Sequence, residues 1–263
     1  MLRRPAGRAV IDGAVLDLHN HVLFGLDDGC RTLEESQALC ARARAAGHVG
    51  FVATPHIRPG MFENDPAGIL RRRDEARAVV EAEGLELHLG AEYYFCPELL
   101  DGARQRALLT LGETSRFVLV ELPTTRLPVR YDEVLYEIRL AGYVPVIAHP
   151  ERAQGLQDDL PKVLGALRQV EVLLQLDLGS LIGHYGRGAK KAAEELVKRG
   201  AYHVAAGDLH RPDDVKAIIP PALARLAKLL GKRKVGPEGV RTLTLDNPRR
   251  ILADAPLTDL VPV

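Results

Sequence analysis

Two histidines one residue apart, His19 and His21, close the apolar run Ala14-Val15-Leu16-Asp17-Leu18. Side chains of a strand alternate faces with period two, so both imidazoles point the same way and reach one ion. Asp208-Leu209-His210 repeats this spacing with a carboxylate in the first place. Four further donors each follow a short apolar run: His56 after Phe51–Thr54, Glu92 after Leu89-Gly90-Ala91, Glu121 after Val118-Leu119-Val120, and His149 after Val144–Ala148. Asp28 lies in Asp27-Asp28-Gly29, seven residues beyond His21. Asp-Gly alone suits an ordinary turn, but beside the His-x-His pair Asp28 becomes a candidate ligand at the rim of the same site.

This donor set is all imidazole and carboxylate, without thiolate, and suits Mn, Fe or Zn. Nine candidate ligands exceed what one tetrahedral ion takes, so two or three divalent ions are expected. The two oxygens of Glu92 suit it to bridging a pair of ions. Such a centre lowers the pKa of a bound water and polarises a phosphoryl oxygen. Arg152, in His149-Pro150-Glu151-Arg152, is a candidate phosphate clamp, because a guanidinium meets phosphate oxygens through two parallel bonds. The sequence holds no Gly-x-Ser-x-Gly elbow, no cysteine-nucleophile signature and no phosphate-binding P-loop, so water activated by metal is the economical nucleophile. These residues describe a metal-dependent hydrolase, with a phosphatase as the leading reading. The remaining histidines, His48, His88, His184 and His203, have no comparable setting and are expected to be structural or surface residues.

The elements that must position these donors are legible in outline. Strand-like runs at Ala14–Leu18, Val49–Thr54, Leu85–Leu89, Phe117–Val120, Val144–Ala148, Val172–Leu176 and His203–Ala206 alternate with helical stretches. Thr32-Leu33-Glu34-Glu35 resembles a capping box opening a helix that ends at Gly47. Further helices are expected over Pro66–Glu83, Tyr131–Ala141, Ala189–Arg199 and Pro221–Leu230, with Asn247-Pro248 capping a short last one. Strands alternating with helices imply a parallel sheet, open or closed into a barrel. Active sites of such folds sit at the C-terminal ends of the strands, where the candidate ligands fall. Residues 1–13 read as an N-terminal extension and 14–263 as one domain.

Composition narrows the function classes. The formal net charge is zero, from 35 basic and 35 acidic residues, which argues against a general electrostatic affinity for nucleic acid or membrane. The three cysteines, Cys30, Cys40 and Cys96, show no paired spacing and read as reduced thiols of a cytoplasmic protein. No apolar stretch reaches membrane-spanning length.

The ordered segments His19-Asn20-His21, Asp27-Asp28-Gly29, Ala53-Thr54-Pro55-His56, Gly90-Ala91-Glu92-Tyr93-Tyr94, Val120-Glu121-Leu122, Ile147–Arg152 and Gly207-Asp208-Leu209-His210 resemble the polymerase-and-histidinol-phosphatase (PHP) superfamily. Within it they are similar to the manganese-dependent protein-tyrosine phosphatases of bacterial capsule and exopolysaccharide operons, the CpsB/YwqE type. Arg58-Pro59-Gly60-Met61-Phe62-Glu63 and Asp246-Asn247-Pro248-Arg249 extend the resemblance, which spans about residues 15–253. It implies an α/β fold, a distorted (β/α)7 barrel with a trinuclear centre, manganese first. It implies His19, His21, Asp28, His56, Glu92, Glu121, His149, Asp208 and His210 as ligands and Arg152 as the phosphate-contacting arginine. Arg58 would sit in a loop shaping the substrate entrance, and Asp208 or His210 would assist proton transfer to the leaving tyrosine. The implied substrate is a phosphotyrosine protein, often the tail of a bacterial tyrosine kinase. Glu34-Glu35-Ser36, a ring-forming segment in some relatives, leaves a homo-oligomer open. The alternatives are a small-molecule phosphoesterase such as a histidinol phosphatase, and a non-catalytic kinase-binding module.

Overall fold

The computed structural model describes residues 14–263, so the expected N-terminal extension, 1–13, lies outside the described residues. Nine strands form two sheets, both wholly parallel: β1 (Val15–Asn20), β2 (His48–Ala53), β3 (His56–Ile57), β4 (Glu86–Leu89), β5 (Glu92–Tyr94), β6 (Phe117–Glu121), β7 (Val144–Ala148), β8 (Leu173–Asp177) and β9 (Val204–Ala206). One sheet has the order β1-β2-β4 and the other β3-β5-β6-β7-β8-β9. Short breaks separate β2 from β3 and β4 from β5. The first holds Pro55, which has no N–H for a ladder, and the second holds Gly90. The chains stay paired across the breaks: Gly90 N–H donates to Ala53 C=O at 2.9 Å and Glu92 N–H to Pro55 C=O at 3.0 Å. Each broken pair therefore makes one strand position, giving seven around the ring.

The ring closes between β9 and β1. Asp208 N–H donates to His19 C=O and His21 N–H to Leu209 C=O, both at 2.9 Å. Asp17 adds a side-chain latch, its carboxylate accepting the Gly207 N–H at 3.0 Å. The β1–β2 register slips between Asp17 and Asn20, where three steps on β1 match two on β2. Such an extra residue re-aims side chains. Leu18 packs inside the barrel, and the next residue, His19, also turns its ring toward the centre, 3.1 Å from Glu92.

Residues facing inward change character along each strand. On β6 they run Phe117, Leu119, Glu121, and on β8 Leu173, Gln175, Asp177. The lower levels join Val52, Val144, Val146 and Val204 in an apolar plug, closed from below by Ile251 and Leu260. Polar residues gather toward the C-terminal level, with Gln175 reaching down to mid-strand, and this is where a chemical site can form without voiding the core.

The helices wrap this ring: α1 (Leu33–Ala45), α2 (Pro66–Ala82), α3 (Pro97–Arg104), α4 (Tyr131–Leu140), α5 (Gln154–Asp158), α6 (Leu160–Gln169), α7 (Leu178–Ile182), α8 (Gly186–Lys198), α9 (Pro212–Lys232), α10 (Gly236–Arg241) and α11 (Asn247–Leu252). The Thr32 side chain accepts the Glu35 N–H as expected, but the Glu35 carboxylate takes the Arg31 N–H at 2.8 Å rather than that of Thr32. Two expectations need correction. The helix expected from Pro221 begins at Pro212, and Pro220 and Pro221 lie inside it. Both prolines are exposed, as are Lys216 and Ala217, whose carbonyls lose partners, so water satisfies what the prolines remove. Asn247 does not cap α11. Its amide instead donates to His203 C=O at 2.7 Å and Val261 C=O at 3.0 Å, tying the chain's end to β9.

His203, at the entry to β9, accepts the Leu174 N–H at Nδ1, 3.1 Å away. Burial, then the Arg168 charge, lowers its pKa from 6.5 to about 4. The folded state thus holds a neutral ring where the unfolded chain binds a proton. Its contribution is complete above pH 6.5 and is lost as pH falls toward 4, by up to about 3 kcal/mol. His203→Asn, which keeps an acceptor near the same place, should flatten Tm against pH over that window. An unchanged slope would show that other groups carry the acid sensitivity.

Candidate metal centre

All nine sequence-derived donors meet at the C-terminal mouth of the ring. Three overlapping groups bring their ligand atoms within 4.8 Å of one another: His19, His21, Glu92 and Asp208; His56, Glu92 and Glu121; and His21, Asp28, His56 and His210. Glu92 belongs to two groups. Its Oε2 lies 3.1 Å from His19 Nε2 and 3.0 Å from His56 Nδ1, and its Oε1 lies 2.9 Å from His149 Nε2. Asp208 Oδ1 is 3.1 Å from Nε2 of both His19 and His21. Asp28, more than half exposed, faces His210 at 3.3 Å and His56 at 3.6 Å. The set therefore grades from a buried floor to an open rim.

Local backbone turns deliver two of these groups. His149 and Asp208 have φ of 32° and 49°, left-handed values that non-glycine residues rarely hold and that cluster at functional sites. His149 follows β7 directly and Asp208 stands one residue beyond β9, after Gly207; each bends the chain at the barrel mouth.

The donor set fits bound cations. His56 Nδ1, Glu92 Oε2 and Glu121 Oε2 are buried without a hydrogen bond among the described residues, although such atoms are normally paired. Electrostatics agrees. Burial opposes charge on His19, yet Glu92 and Asp208 outweigh it and raise the pKa to about 9. Burial likewise opposes charge on His21, and Asp27 and Asp208 hold it well above its usual value. At Glu121 burial, reinforced by the nearby Glu92 charge, raises the pKa to about 8. Burial lowers the pKa of His56 and of His149, but carboxylates so crowded that His19 and His21 are pushed up and Glu121 resists ionising call for positive charge.

The residues behind the donors fix their tautomers. Asp27 Oδ2 sits 2.7 Å from His21 Nδ1 and accepts the His56 N–H at 2.9 Å. Gln175 Oε1 lies 2.9 Å from His19 Nδ1. With the far nitrogen engaged, Nε2 of each ring is left facing the cluster. Asp27 sits beside the Asp28 that the sequence singled out, so its signal was visible. Gln175 and Asp177 gave no local signal, since each looks like an ordinary strand residue.

Arg152 is placed at the edge of the centre. Its Nη2 contacts Asp208 Oδ2 at 2.5 Å and Asp177 Oδ2 at 2.6 Å. Arg58 lies over the Tyr94 ring, 4.1 Å from its centroid, with Nη1 3.8 Å from Glu121. Phe62, bridged to Arg58 across a tight antiparallel turn, stacks on His56 at 5.1 Å and 7°. Of the histidines left aside, His48 is buried and bonds Ala43 C=O at 3.0 Å, His203 joins β8 to β9, His88 is partly exposed and His184 is exposed.

Comparisons with known proteins identify the family. Residues 15–253 match the family model described as capsular polysaccharide synthesis, CpsB/CapC. Tyrosine-protein phosphatase YwqE of Bacillus subtilis is 31% identical over 198 residues, 74% of this chain and 77% of that protein. Tyrosine-protein phosphatase CpsB of Streptococcus pneumoniae is 30% identical over 247 residues, 91% of this chain and 99% of that one. A crystal structure from the study of YwqE and CpsB as metal-dependent tyrosine phosphatases superposes with a TM-score of 0.80 at 27% identity, covering 94% of this chain and 99% of the other. An organophosphorus hydrolase variant from Deinococcus radiodurans shares the fold alone, with a TM-score of 0.54 at 16% identity and 93% of each chain covered. A match over nearly the whole chain, on a barrel whose mouth gathers all the expected donors, places this protein: it belongs to the CpsB/CapC family.

Proposed function

We propose that this chain is a metal-dependent protein-tyrosine phosphatase. The observation that carries the reading is the convergence of eight imidazole and carboxylate donors into three overlapping groups, two of which share Glu92, with His149 joined to them through Glu92 and Arg152 against Asp208. His19, His21, Asp28, His56, Glu92, Glu121, His149, Asp208 and His210 are the proposed ligands of two or three divalent ions, manganese first. Bound there, such ions supply Lewis acidity at a phosphoryl oxygen and lower the pKa of a coordinated water. Glu92 faces several imidazoles at once and sets the spacing of the neighbouring groups. Arg152 binds a phosphoryl oxygen and stabilises the charge that grows there as the ester bond breaks. Arg58 and Tyr94 border the entrance and contact the substrate beside its phosphate. Asp208 or His210 passes a proton to the phenolate oxygen. His210 is the most exposed of the five histidines, at 24% of its side chain.

Residues 14–263 act as one domain in this reading. The proposed substrate is phosphotyrosine in a bacterial tyrosine kinase governing capsule or exopolysaccharide synthesis, and the proposed compartment is the cytoplasm. Among the described residues no helix is long and apolar enough to cross a membrane, which fits that placement. A homo-oligomer built through Glu34-Glu35-Ser36 would rely on Glu34, because Ser36 is buried and donates to Val22 C=O at 2.6 Å, while Glu35 faces Arg211 at 3.3 Å.

The test is phosphate release after chelation, with and without added Mn²⁺, from a phosphotyrosine peptide, a phosphoserine peptide and histidinol phosphate. Mn²⁺-dependent release from phosphotyrosine, at least 10-fold above the other two, is expected. Preference for histidinol phosphate would replace the protein substrate with a small molecule. No release from any of them by metal-loaded protein would remove the phosphatase reading.

A further inference from the structure

We propose that Tyr185 is a positioning residue for the phosphoryl-binding edge of Arg152, working with Asp177; the inference rests on the function proposed above. A guanidinium has five N–H donors in one plane. Here Nε and Nη2 reach Asp177 Oδ2 at 3.2 and 2.6 Å, and Nη2 also reaches Asp208 Oδ2 at 2.5 Å. The Asp177 bonds occupy the Nε/Nη2 edge, and the Asp208 bond takes the second Nη2 hydrogen on the adjoining side. The two remaining donors are both on Nη1, so that nitrogen is the one left to meet an anion.

In-plane bonds alone do not stop a guanidinium from tilting about the edge they hold. The Tyr185 ring supplies the missing restraint, lying beneath the group with 3.4 Å between Arg152 Cζ and the ring centroid. The ring is itself confined. A Cβ on Gly179 would meet Tyr185 Cε2 at 3.0 Å, so the first turn of α7 and the ring are already in contact. Asp177 is equally fixed: Oδ1 accepts the Gly179 N–H at 2.8 Å, Oδ2 accepts the Ser180 hydroxyl at 3.1 Å, and its own N–H donates to Glu151 Oε1 at 3.0 Å. Glu151 is buried and held in turn by the Tyr202 hydroxyl at 2.8 Å. A rigid carboxylate on one edge and an aromatic face below thus define the direction of Nη1. None of Asp177, Tyr185, Glu151 or Tyr202 is among the proposed metal ligands.

The experiment compares Tyr185→Leu, Tyr185→Phe and Tyr185→Met in the Mn²⁺-loaded full chain, each alone and with Arg152→Lys. Inorganic phosphate affinity is measured by calorimetry, and kcat and KM with p-nitrophenyl phosphate. Tyr185→Leu should weaken phosphate binding and kcat/KM about 10- to 30-fold, the upper figure being the size of one desolvated cation–π contact, with metal content unchanged. Tyr185→Phe, which keeps the ring face, should restore both. In the Arg152→Lys background Tyr185→Leu should add less than about twofold, because coupled residues are non-additive. Should Tyr185→Leu fold poorly, Tyr185→Met supplies a longer, more adaptable apolar side chain without the ring and should show the same loss. Wild-type phosphate affinity in Tyr185→Leu or Tyr185→Met, or an equal loss in the Arg152→Lys background, would overturn the inference. Phosphate binding needs no turnover, so a wild-type protein that binds phosphate but hydrolyses no aryl ester would sink the proposed function and leave this test readable.

Discussion

Glu92→Gln is expected to lower phosphatase turnover by on the order of 10³-fold and to reduce bound metal by at least one ion per chain. The substitution is nearly isosteric, so the fold should survive it. What it removes is the charge shared by two donor groups. Glu92 is completely buried and burial opposes its ionisation, yet the imidazoles of His19 and His56 hold its pKa well below the usual carboxylate range. A neutral amide in that place cannot neutralise two adjacent cations, and its NH₂ group points a donor at groups that need an acceptor. Metal analysis of the purified variant and kcat under saturating Mn²⁺ check the claim. Full metal content with turnover within 10-fold of wild type would show that Glu92 is dispensable as a bridge.

A second large effect is expected at a residue that supplies no ligand atom itself. Gly29→Ala should destabilise the protein by about 1–3 kcal/mol and cut activity by about 10–100-fold, the usual cost of disturbing the shell that orients metal ligands. A Cβ at Gly29 would stand 2.4 Å from both His21 Cβ and His21 carbonyl oxygen, and 2.9 Å from Asp27 Oδ1. The first two belong to a buried strand end and cannot rotate away. The loop must move, and with it go the Asp27 contact to His21 Nδ1 and the Cys30 N–H bond to His21 C=O at 3.1 Å. Gly165→Ala on α6, where a Cβ meets nothing within 4 Å, is the control and should be neutral or slightly stabilising. Denaturation curves with and without Mn²⁺, together with kcat, give the readout. Wild-type stability and activity in Gly29→Ala would mean that the close approach relaxes freely.

Much of the site could be read from residue order because parallel strands deliver their C-terminal ends to one face. His-x-His and Asp-x-His are period-two patterns, and the single donors stand at the ends of apolar runs, so each declares itself within a few residues. The fold class follows from the same alternation of apolar runs and helical stretches. The seven strand-like runs of the sequence correspond to the seven positions around the ring, because β3 and β5 continue β2 and β4 beyond the breaks at Pro55 and Gly90; the resemblance supplied their closure into a barrel. The helix through Pro220 and Pro221 escaped because proline is a local stop signal, whereas the exposure that excuses it depends on which face α9 turns to solvent.

The sequence by itself thus determined the chemistry: which atoms can bind a cation, that they share one end of a parallel α/β fold, and that no covalent nucleophile competes. Only the tertiary structure decided the pairing. Asp27 on His21, Gln175 on His19, and Asp177 with Tyr185 on Arg152 join positions separated by 6, 156, 25 and 33 residues. Three of those four links are long-range, and no periodicity encodes them. The Gln175–His19 link exists because the ring closes between β9 and β1, and the two links to Arg152 exist because β7 and β8 lie side by side, so each side chain's partner is set by position around the barrel.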